Sequence, residues 1–133
     1  MPVTTDDYVS ISDFLGRYCW LVDSNEEDAW SALWLEDGVF TGVTPEPLVG
    51  HEALKTVPRN QFNLSQGKMR HHYGNLHCDY AEGSRDEVRA RYYNNVSMWK
   101  SGGSFVCMAL CDVQLVRKGA GWLIRRNDTT LLT

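Results

Sequence analysis

Cysteine is scarce and unpatterned in this chain. The four thiols, Cys19, Cys78, Cys107 and Cys111, form no CxxC pair, which excludes a zinc ribbon and a thioredoxin motif. They fit the reduced, mostly buried thiols of a cytoplasmic protein. On one strand Cys107 and Cys111 would stand more than about 12 Å apart, at roughly 3.3 Å per residue, too far for a disulfide. Long apolar runs are also lacking. None approaches the ~20 residues needed to span a bilayer, so no membrane partner is expected. The segment from Met1 to Asp7 is polar and acidic, without the basic and apolar regions of a signal peptide. Positive charge is in deficit: 13 Lys and Arg stand against 17 Asp and Glu, for a formal net charge of −4. That argues against a nucleic-acid partner, which needs a basic face. There is no Gly-x-Ser-x-Gly elbow for nucleophilic catalysis. Nor is there a phosphate loop, because Gly102-Gly103 and Gly119-Ala120-Gly121 are hairpin turns with no helix behind them.

Large aromatic rings, by contrast, are plentiful. Five Trp and six Tyr in 133 residues can fill a core, line a pocket or build an interface. The length suits one domain over residues 1–133, since domains cluster near about 100–150 residues.

The first third reads as helical. Tyr8, Ile11, Leu15, Tyr18 and Val22 recur at three- and four-residue steps, the mark of one apolar helix face. Thr4 or Thr5, followed by Asp6 and Asp7, suits the start, and the helix is predicted to end near Asp23. Ser24 and Glu27 offer a capping box for a second helix carrying Ala29, Trp30, Leu33 and Trp34. Asp37-Gly38 ends it. Val39–Val43 reads as a strand, Gly50–Lys55 as a short helix ending near Pro58, and residues 59–68 as a loop. Four runs then read as strands joined by tight turns: Met69–Tyr80, Glu87–Lys100, Ser104–Lys118 and Gly121–Thr130. In the second of these, Val88, Ala90, Tyr92, Asn94, Val96 and Met98 share one face. Helices followed by a meander of long strands give an α+β fold, with helices packed on one face of a curved antiparallel sheet.

Polar residues on apolar faces are the informative anomalies, because burying them costs energy unless they are paired. Asp23 ends the inner stripe of the first helix, where a carboxylate opposes the helix dipole. It reads either as a solvated helix-end acid or as a functional one. His71 and His72 are adjacent on a strand, so they face opposite sides. With His71 inward, Tyr73, Asn75 and His77 follow it into a polar-lined pocket; with His72 inward, Gly74, Leu76 and Cys78 form an ordinary core. An Asp and a His together are the minimum set for general acid–base chemistry. A metal is not expected. His71 and Asp79 lie roughly 26 Å apart on an extended strand, whereas zinc ligands converge within about 2 Å of one ion. Only His77 and Asp79 could chelate together. Arg89, Arg91 and Arg125-Arg126 read as a solvated or interface strand face.

Three segments carry a resemblance: Tyr18-Cys19-Trp20-Leu21-Val22-Asp23, Asp28-Ala29-Trp30-Ser31-Ala32-Leu33-Trp34 and Glu36-Asp37-Gly38-Val39-Phe40. With Gly50-His51-Glu52-Ala53-Leu54, Arg70-His71-His72-Tyr73-Gly74-Asn75 and Trp122-Leu123-Ile124-Arg125-Arg126, their order and spacing resemble the SnoaL-like family of the nuclear-transport-factor-2-like superfamily. The resemblance covers essentially the whole chain. It implies a cone-shaped α+β domain with N-terminal helices on the concave face of the sheet. Among members it is strongest to cofactor-free lyases: scytalone dehydratase, bile-acid 7α-dehydratase and hexachlorocyclohexane dehydrochlorinase. It implies His71 as the base, which selects His71 over His72, with Asp23 to orient it and Tyr18 as hydrogen-bond donor. Asn94 falls where the bile-acid enzyme carries an acid, and an amide cannot act as one.

Function is therefore expected to be a cofactor-independent elimination or isomerisation of a small apolar, cyclic or polycyclic molecule. Trp20, Phe40, Tyr73, Tyr92, Met98 and Met108 are candidate walls, and Asn94 and Arg126 candidate polar contacts. The alternatives are a non-catalytic subunit like the β chain of ring-hydroxylating dioxygenases, a ligand-binding module, or a polyketide-cyclase-like enzyme. Tyr93, Val106 and Leu110 on the outer side of the sheet are expected to bury against further copies, giving a homodimer or homotrimer.

Overall fold

Helix α1 runs from Thr5 to Asp23. The Thr4 hydroxyl caps it by accepting from the Asp7 N–H at 3.1 Å, and Asp6 and Asp7 sit favourably in its first turn. Its inner face buries Ile11, Phe14, Leu15, Tyr18, Cys19 and Val22. Each large apolar side chain buried in this way contributes about 1.5–3 kcal/mol. The computed structural model describes residues 1–132, and the remaining elements follow in order. They are α2 (Glu27–Ser31), β1 (Trp34–Thr41), β2 (Leu48–Val49), α3 (His51–Leu54), α4 (Thr56–Ser65), β3 (Met69–Tyr80), β4 (Glu87–Met98), β5 (Ser104–Lys118) and β6 (Gly121–Leu132). The sheet order is β2-β1-β6-β5-β4-β3. All neighbours are antiparallel except β1 and β6, which run parallel. The helices pack on the concave face of this curved sheet, α1 chiefly against β3.

Two local expectations fail for identifiable reasons. The second helix is only five residues long and has no side-chain cap. Ser24 instead closes α1, its N–H donating to the Trp20 carbonyl at 3.1 Å, while the Asn25 N–H donates to the Val22 carbonyl at 3.4 Å. Trp34 leaves the helix to open β1, where its ring stacks on Phe40 with centroids 5.3 Å apart and also meets Trp30 at 5.4 Å. Tertiary packing of three rings outweighs the weak helical preference of a short segment. The stretch around 59–68, expected as loop, is mostly α4. Proline does not end it, because Pro58 lies in the first turn, where no intrahelical N–H is needed. Gln66, in the left-handed region at φ 54°, closes the helix.

Register irregularities decide which side chains face inward. In β3 the pairing with β4 shifts between Gly74 and His77, with Asn75 at φ 56°. Met69, His71 and Tyr73 therefore face the helices, and beyond the shift Cys78 and Tyr80 do. Each of the two inward sets weighed from sequence holds for one half of the strand. A second shift lies between β4 and β5 at Val96/Ser97, and a third between β5 and β6 at Gln114/Leu115. One residue inserted into a ladder reverses the facing of everything after it.

The far end of α1 is pinned to the sheet. Arg117 donates to both Asp7 carboxylate oxygens at 3.1 and 2.8 Å, and to Asp86 at 3.1 Å. The Tyr80 hydroxyl also donates to Asp7, and the Arg117 guanidinium lies 4.4 Å from the centroid of the Trp122 ring. The strong Arg117 hydrogen bonds hold the Asp7 carboxyl below its ordinary range. At the other end, Gly42 has φ 94°, and a Cβ there would meet the Thr129 carbonyl oxygen at 1.7 Å. Only glycine lets β1 leave the sheet so close to β6.

Candidate active site

Asp23 and His71 meet where the last turn of α1 crosses β3. His71 Nδ1 stands 2.6 Å from Asp23 Oδ1, and the His71 backbone N–H donates to Oδ2 at 3.1 Å. Their side chains are only 8% and 9% exposed for Asp23 and His71 respectively. A carboxylate can only accept, so Nδ1 carries the shared hydrogen. Nε2 is then the basic nitrogen, and among the described residues it has no hydrogen-bond partner. The misplaced helix-end acid of the sequence is thus a bidentate acceptor that fixes both the backbone and the ring of His71.

His71 borders a partly open cavity of about 190 Å³ between α1, α4 and the sheet. Tyr18, Phe40, Asn94 and Gln61 also line it, and most of the remaining wall is aliphatic. Behind the pair, Asp23 borders a separate outer pocket with Cys19, Trp20 and Arg70, and His71 touches both spaces. The Tyr18 hydroxyl accepts from Asn127 Nδ2 at 3.4 Å, while Asn127 Oδ1 accepts from the Thr129 hydroxyl at 2.9 Å. Among the described residues, the phenolic hydrogen of Tyr18 has no acceptor. Burial pushes the Tyr18 pKa well above its ordinary value, so this side chain stays a neutral donor. Asn94 is 5% exposed, and among the described residues neither its Oδ1 nor Gln61 Oε1 has a hydrogen-bond partner. Among the described residues, no three His, Cys, Asp or Glu side chains are grouped closely enough to hold a metal ion.

The family comparison agrees with this arrangement of helices and sheet. Residues 3–128 match the SnoaL-like domain. The chain belongs to the SnoaL-like family. No curated protein matches the sequence. Among solved structures, this SnoaL-like chain is similar to a nuclear-transport-factor-2-like protein with a cystatin-like fold from Novosphingobium aromaticivorans. That protein is 27% identical, with 95% of this chain and 82% of the other covered and a TM-score of 0.82. It is also similar in fold to a Catenulispora acidiphila protein in complex with S-DNPA, at 20% identity, 93% and 92% coverage and a TM-score of 0.77. A third is a candidate scytalone dehydratase from Novosphingobium aromaticivorans DSM 12444, at 17% identity, 98% and 89% coverage and a TM-score of 0.78.

Six of the wall and polar positions read from sequence lie elsewhere in this SnoaL-like domain. Trp20 is 76% exposed on the outer face of α1. It stands two residues from both Tyr18 and Val22, which turns it about 200° away from the inner stripe. Tyr73 faces inward but binds α1 instead of the cavity, donating to the Ser12 carbonyl at 2.8 Å and packing edge-on against Tyr92. Tyr92 is sealed in the core and is not among the residues that line the cavity. Met98 lies beyond the β4–β5 shift, paired with Ser104 at the sheet end. Met108 pairs with Asn95 and Leu132 on the outer face, because the inward set of β5 is Ala109, Cys111, Val113 and Leu115. Arg126 faces outward and binds Asp128 at 2.9 Å. The β5–β6 shift skips Arg125, which turns Asn127 inward in place of Arg126. Val106, assigned to the outer face from sequence, lines the cavity, because the β4–β5 shift makes it the extra residue. Tyr93 and Leu110 do lie exposed.

Gln61 and Asn127 are the polar site residues that sequence reasoning missed. The signal for Gln61 was present: Val57, Gln61 and Ser65 follow one helix face at four-residue steps. Asn127 had no comparable signal, because its facing depends on the skipped residue.

Proposed function

We propose that this SnoaL-like domain is a cofactor-independent acid–base enzyme that eliminates water from, or isomerises, a small cyclic molecule. The observation that carries this reading is the 2.6 Å contact between Asp23 and His71, with His71 at the wall of the cavity. Nε2 takes a proton from a carbon next to a carbonyl. The electrons of that C–H bond form the new double bond, by way of an enolate, as the β-hydroxyl leaves. The leaving hydroxide takes the proton back from the His71 imidazolium and departs as water, so the base is regenerated. Asp23 holds the ring in the productive tautomer and stabilises the imidazolium. Tyr18 donates a hydrogen bond to the developing oxyanion or leaving group without giving up its proton.

An open cavity beside His71 also argues against the non-catalytic reading, which needs the cone to be filled or sealed. The solved structure with S-DNPA bound is consistent with small-molecule binding in this fold. Cytoplasmic placement and a homodimer or homotrimer, assembled through the face bearing Tyr93 and Leu110, belong to the same proposal.

The test uses 3-hydroxycyclohexanone, a neutral β-hydroxyketone, and follows the ultraviolet absorbance of the enone product. Wild-type protein is expected to form enone above the buffer rate, and His71→Ala to lose this activity by about 10²–10⁴-fold. Protein-dependent turnover that survives in His71→Ala would refute the assignment. So would failure of the folded wild type both to form enone and to exchange the ring α-hydrogens of cyclohexanone with D2O.

A further inference from the structure

We infer that the cavity selects neutral, hydroxylated molecules of a single ring, and that Gln61 of α4 and Asn94 of β4 together read the hydroxyl groups. This inference rests on the acid–base reading of the same site, but it concerns what enters the site rather than what happens there.

Size comes first. The cavity holds about 190 Å³. An engineered apolar cavity of about 150 Å³ accepts one benzene, and drug-sized ligands occupy about 300 Å³ or more. One substituted six-membered ring therefore fills this space, and a fused polycycle overfills it. The expectation of a polycyclic ligand is narrowed accordingly.

Charge comes second. No Lys, Arg, Asp or Glu lines the cavity among the described residues. A carboxylate or phosphate on the ligand would be desolvated with no cation to meet it, at a cost an apolar wall cannot offset. Anionic and nucleotide-bearing substrates are excluded on this ground.

Hydrogen-bond demand comes third. Buried polar atoms are nearly always paired, yet Asn94 Oδ1 and Gln61 Oε1 are both buried and, among the described residues, both without a partner. They approach one space from opposite layers, Asn94 from the sheet and Gln61 from the helix above it. Two unpaired acceptors facing one apolar cavity call for two donors on the ligand. A hydroxyl suits an amide in either orientation, since it both donates and accepts. A site with such groups rejects an analogue lacking the hydroxyls more strongly than it rejects one of slightly wrong size, because the buried amides are then left unpaired.

Binding of four probes to the intact protein, measured by isothermal titration calorimetry, tests this. Resorcinol is neutral with two hydroxyls, toluene has none, 3-hydroxybenzoate is anionic and 9-phenanthrol has three rings. Resorcinol is expected to bind at least about tenfold more tightly than each of the others. Gln61→Met and Asn94→Leu are each expected to weaken resorcinol about tenfold while leaving toluene unchanged or tighter. Gln61 is only partly buried, so Gln61→Met keeps the test open should Asn94→Leu fail to fold. The inference is overturned if toluene, 3-hydroxybenzoate or 9-phenanthrol binds as well as resorcinol. It is equally overturned if no probe binds, or if resorcinol is indifferent to the folded amide variants. None of these probes can undergo elimination. Resorcinol selectivity without enone formation would therefore refute the proposed chemistry alone, and enone formation without selectivity would refute the selection rule alone.

Discussion

Replacing Asp23 by Asn separates a positioning carboxylate from a merely structural one. The carboxylate accepts from two His71 donors, the ring at 2.6 Å and the backbone at 3.1 Å, and both residues are nearly buried. Asparagine keeps the shape and one acceptor oxygen. That oxygen can satisfy the backbone N–H, but the amide NH2 then faces Nδ1. The ring must answer by moving its hydrogen to Nε2, and the nitrogen at the cavity is no longer a base. One hydrogen bond to a charged group is weakened, for a stability loss of about 1–2 kcal/mol. Against a total of about 5–15 kcal/mol the protein stays folded. Activity, however, is expected to fall by about 10³–10⁴-fold, the effect of a wrong imidazole tautomer in the Ser-His-Asp enzymes. Urea unfolding gives the first quantity, and the initial rate of enone formation from 3-hydroxycyclohexanone gives the second. Nitrogen-15 NMR of the His71 ring supplies an independent readout, with the hydrogen on Nδ1 in the wild type and on Nε2 in Asp23→Asn. Activity within about threefold of wild type would refute the positioning role. A tautomer unchanged in the variant would refute the mechanism by which it acts.

Three further outcomes follow from particular contacts. Arg117 holds the Asp7 carboxyl below its ordinary value of 3.8. Its stabilisation is therefore complete above that pH and is lost as pH falls through the lower folded value. Asp7→Asn should cost about 2 kcal/mol at pH 7, and urea midpoints of variant and wild type should converge as the pH is lowered below 3.8; a constant difference would contradict the ion pair. Cys107 is half-buried at the partly open cavity, where burial also raises its thiol, whereas the buried Cys19 thiol is pushed up to about 12 and Cys78 to about 11. Iodoacetamide mass mapping at pH 8 should label Cys107 first, resorcinol should slow that labelling, and equal labelling of all four thiols would count against the described burial. Gly42→Ala puts a Cβ where the Thr129 carbonyl oxygen stands and should cost on the order of 3–4 kcal/mol in thermal or urea unfolding; a loss below about 1 kcal/mol would mean that β1 does not leave the sheet there.

The long periodic elements were legible because one physical signal dominated each. The α1 stripe and its end at Asp23 emerged from helical spacing, and β5 from a run bounded by glycine turns. In β4 the alternation Val88, Ala90, Tyr92, Asn94 and Val96 is the buried set observed. Asp23 was legible because it is polar at the end of an otherwise apolar helix face, whereas the residues alone left His71 and His72 open and the family resemblance selected His71. The errors fall where a local signal competes with a tertiary one. Trp34 carries the spacing of a helix but is taken by the stack with Phe40 and Trp30. Pro58 reads as a helix end but occupies the first turn of α4, and that misreading hid Gln61. Met98 was assigned by counting in twos along β4, whose pairing with β5 shifts before it, and the position of Arg126 is turned outward by the β5–β6 shift.

Those shifts explain why one sheet can carry both a sealed core and a polar site. A strand in perfect alternation presents one chemical character along a whole face. Here β3 presents His71 before its irregularity and Cys78 and Tyr80 after it. Likewise β6 presents Trp122 and Ile124 to the core, skips Arg125, and then turns Asn127 and Thr129 inward to hold the Tyr18 hydroxyl. Were Arg125 held in regular alternation instead of skipped, Arg126 and Asp128 would face the interior, and two charges would be buried where the cavity now has none. The bulge thus does two things with one residue. It keeps an ion pair in solvent, and it supplies the uncharged amide that leaves the Tyr18 hydrogen free to point at a ligand. Deleting Arg125 brings Arg126 directly behind Ile124 and leaves Asn127 and Thr129 facing inward, so both the deletion and Arg125→Ala, which changes stability by no more than about 0.5 kcal/mol, should leave resorcinol binding intact; loss of binding in either folded variant would refute this reading of the bulge.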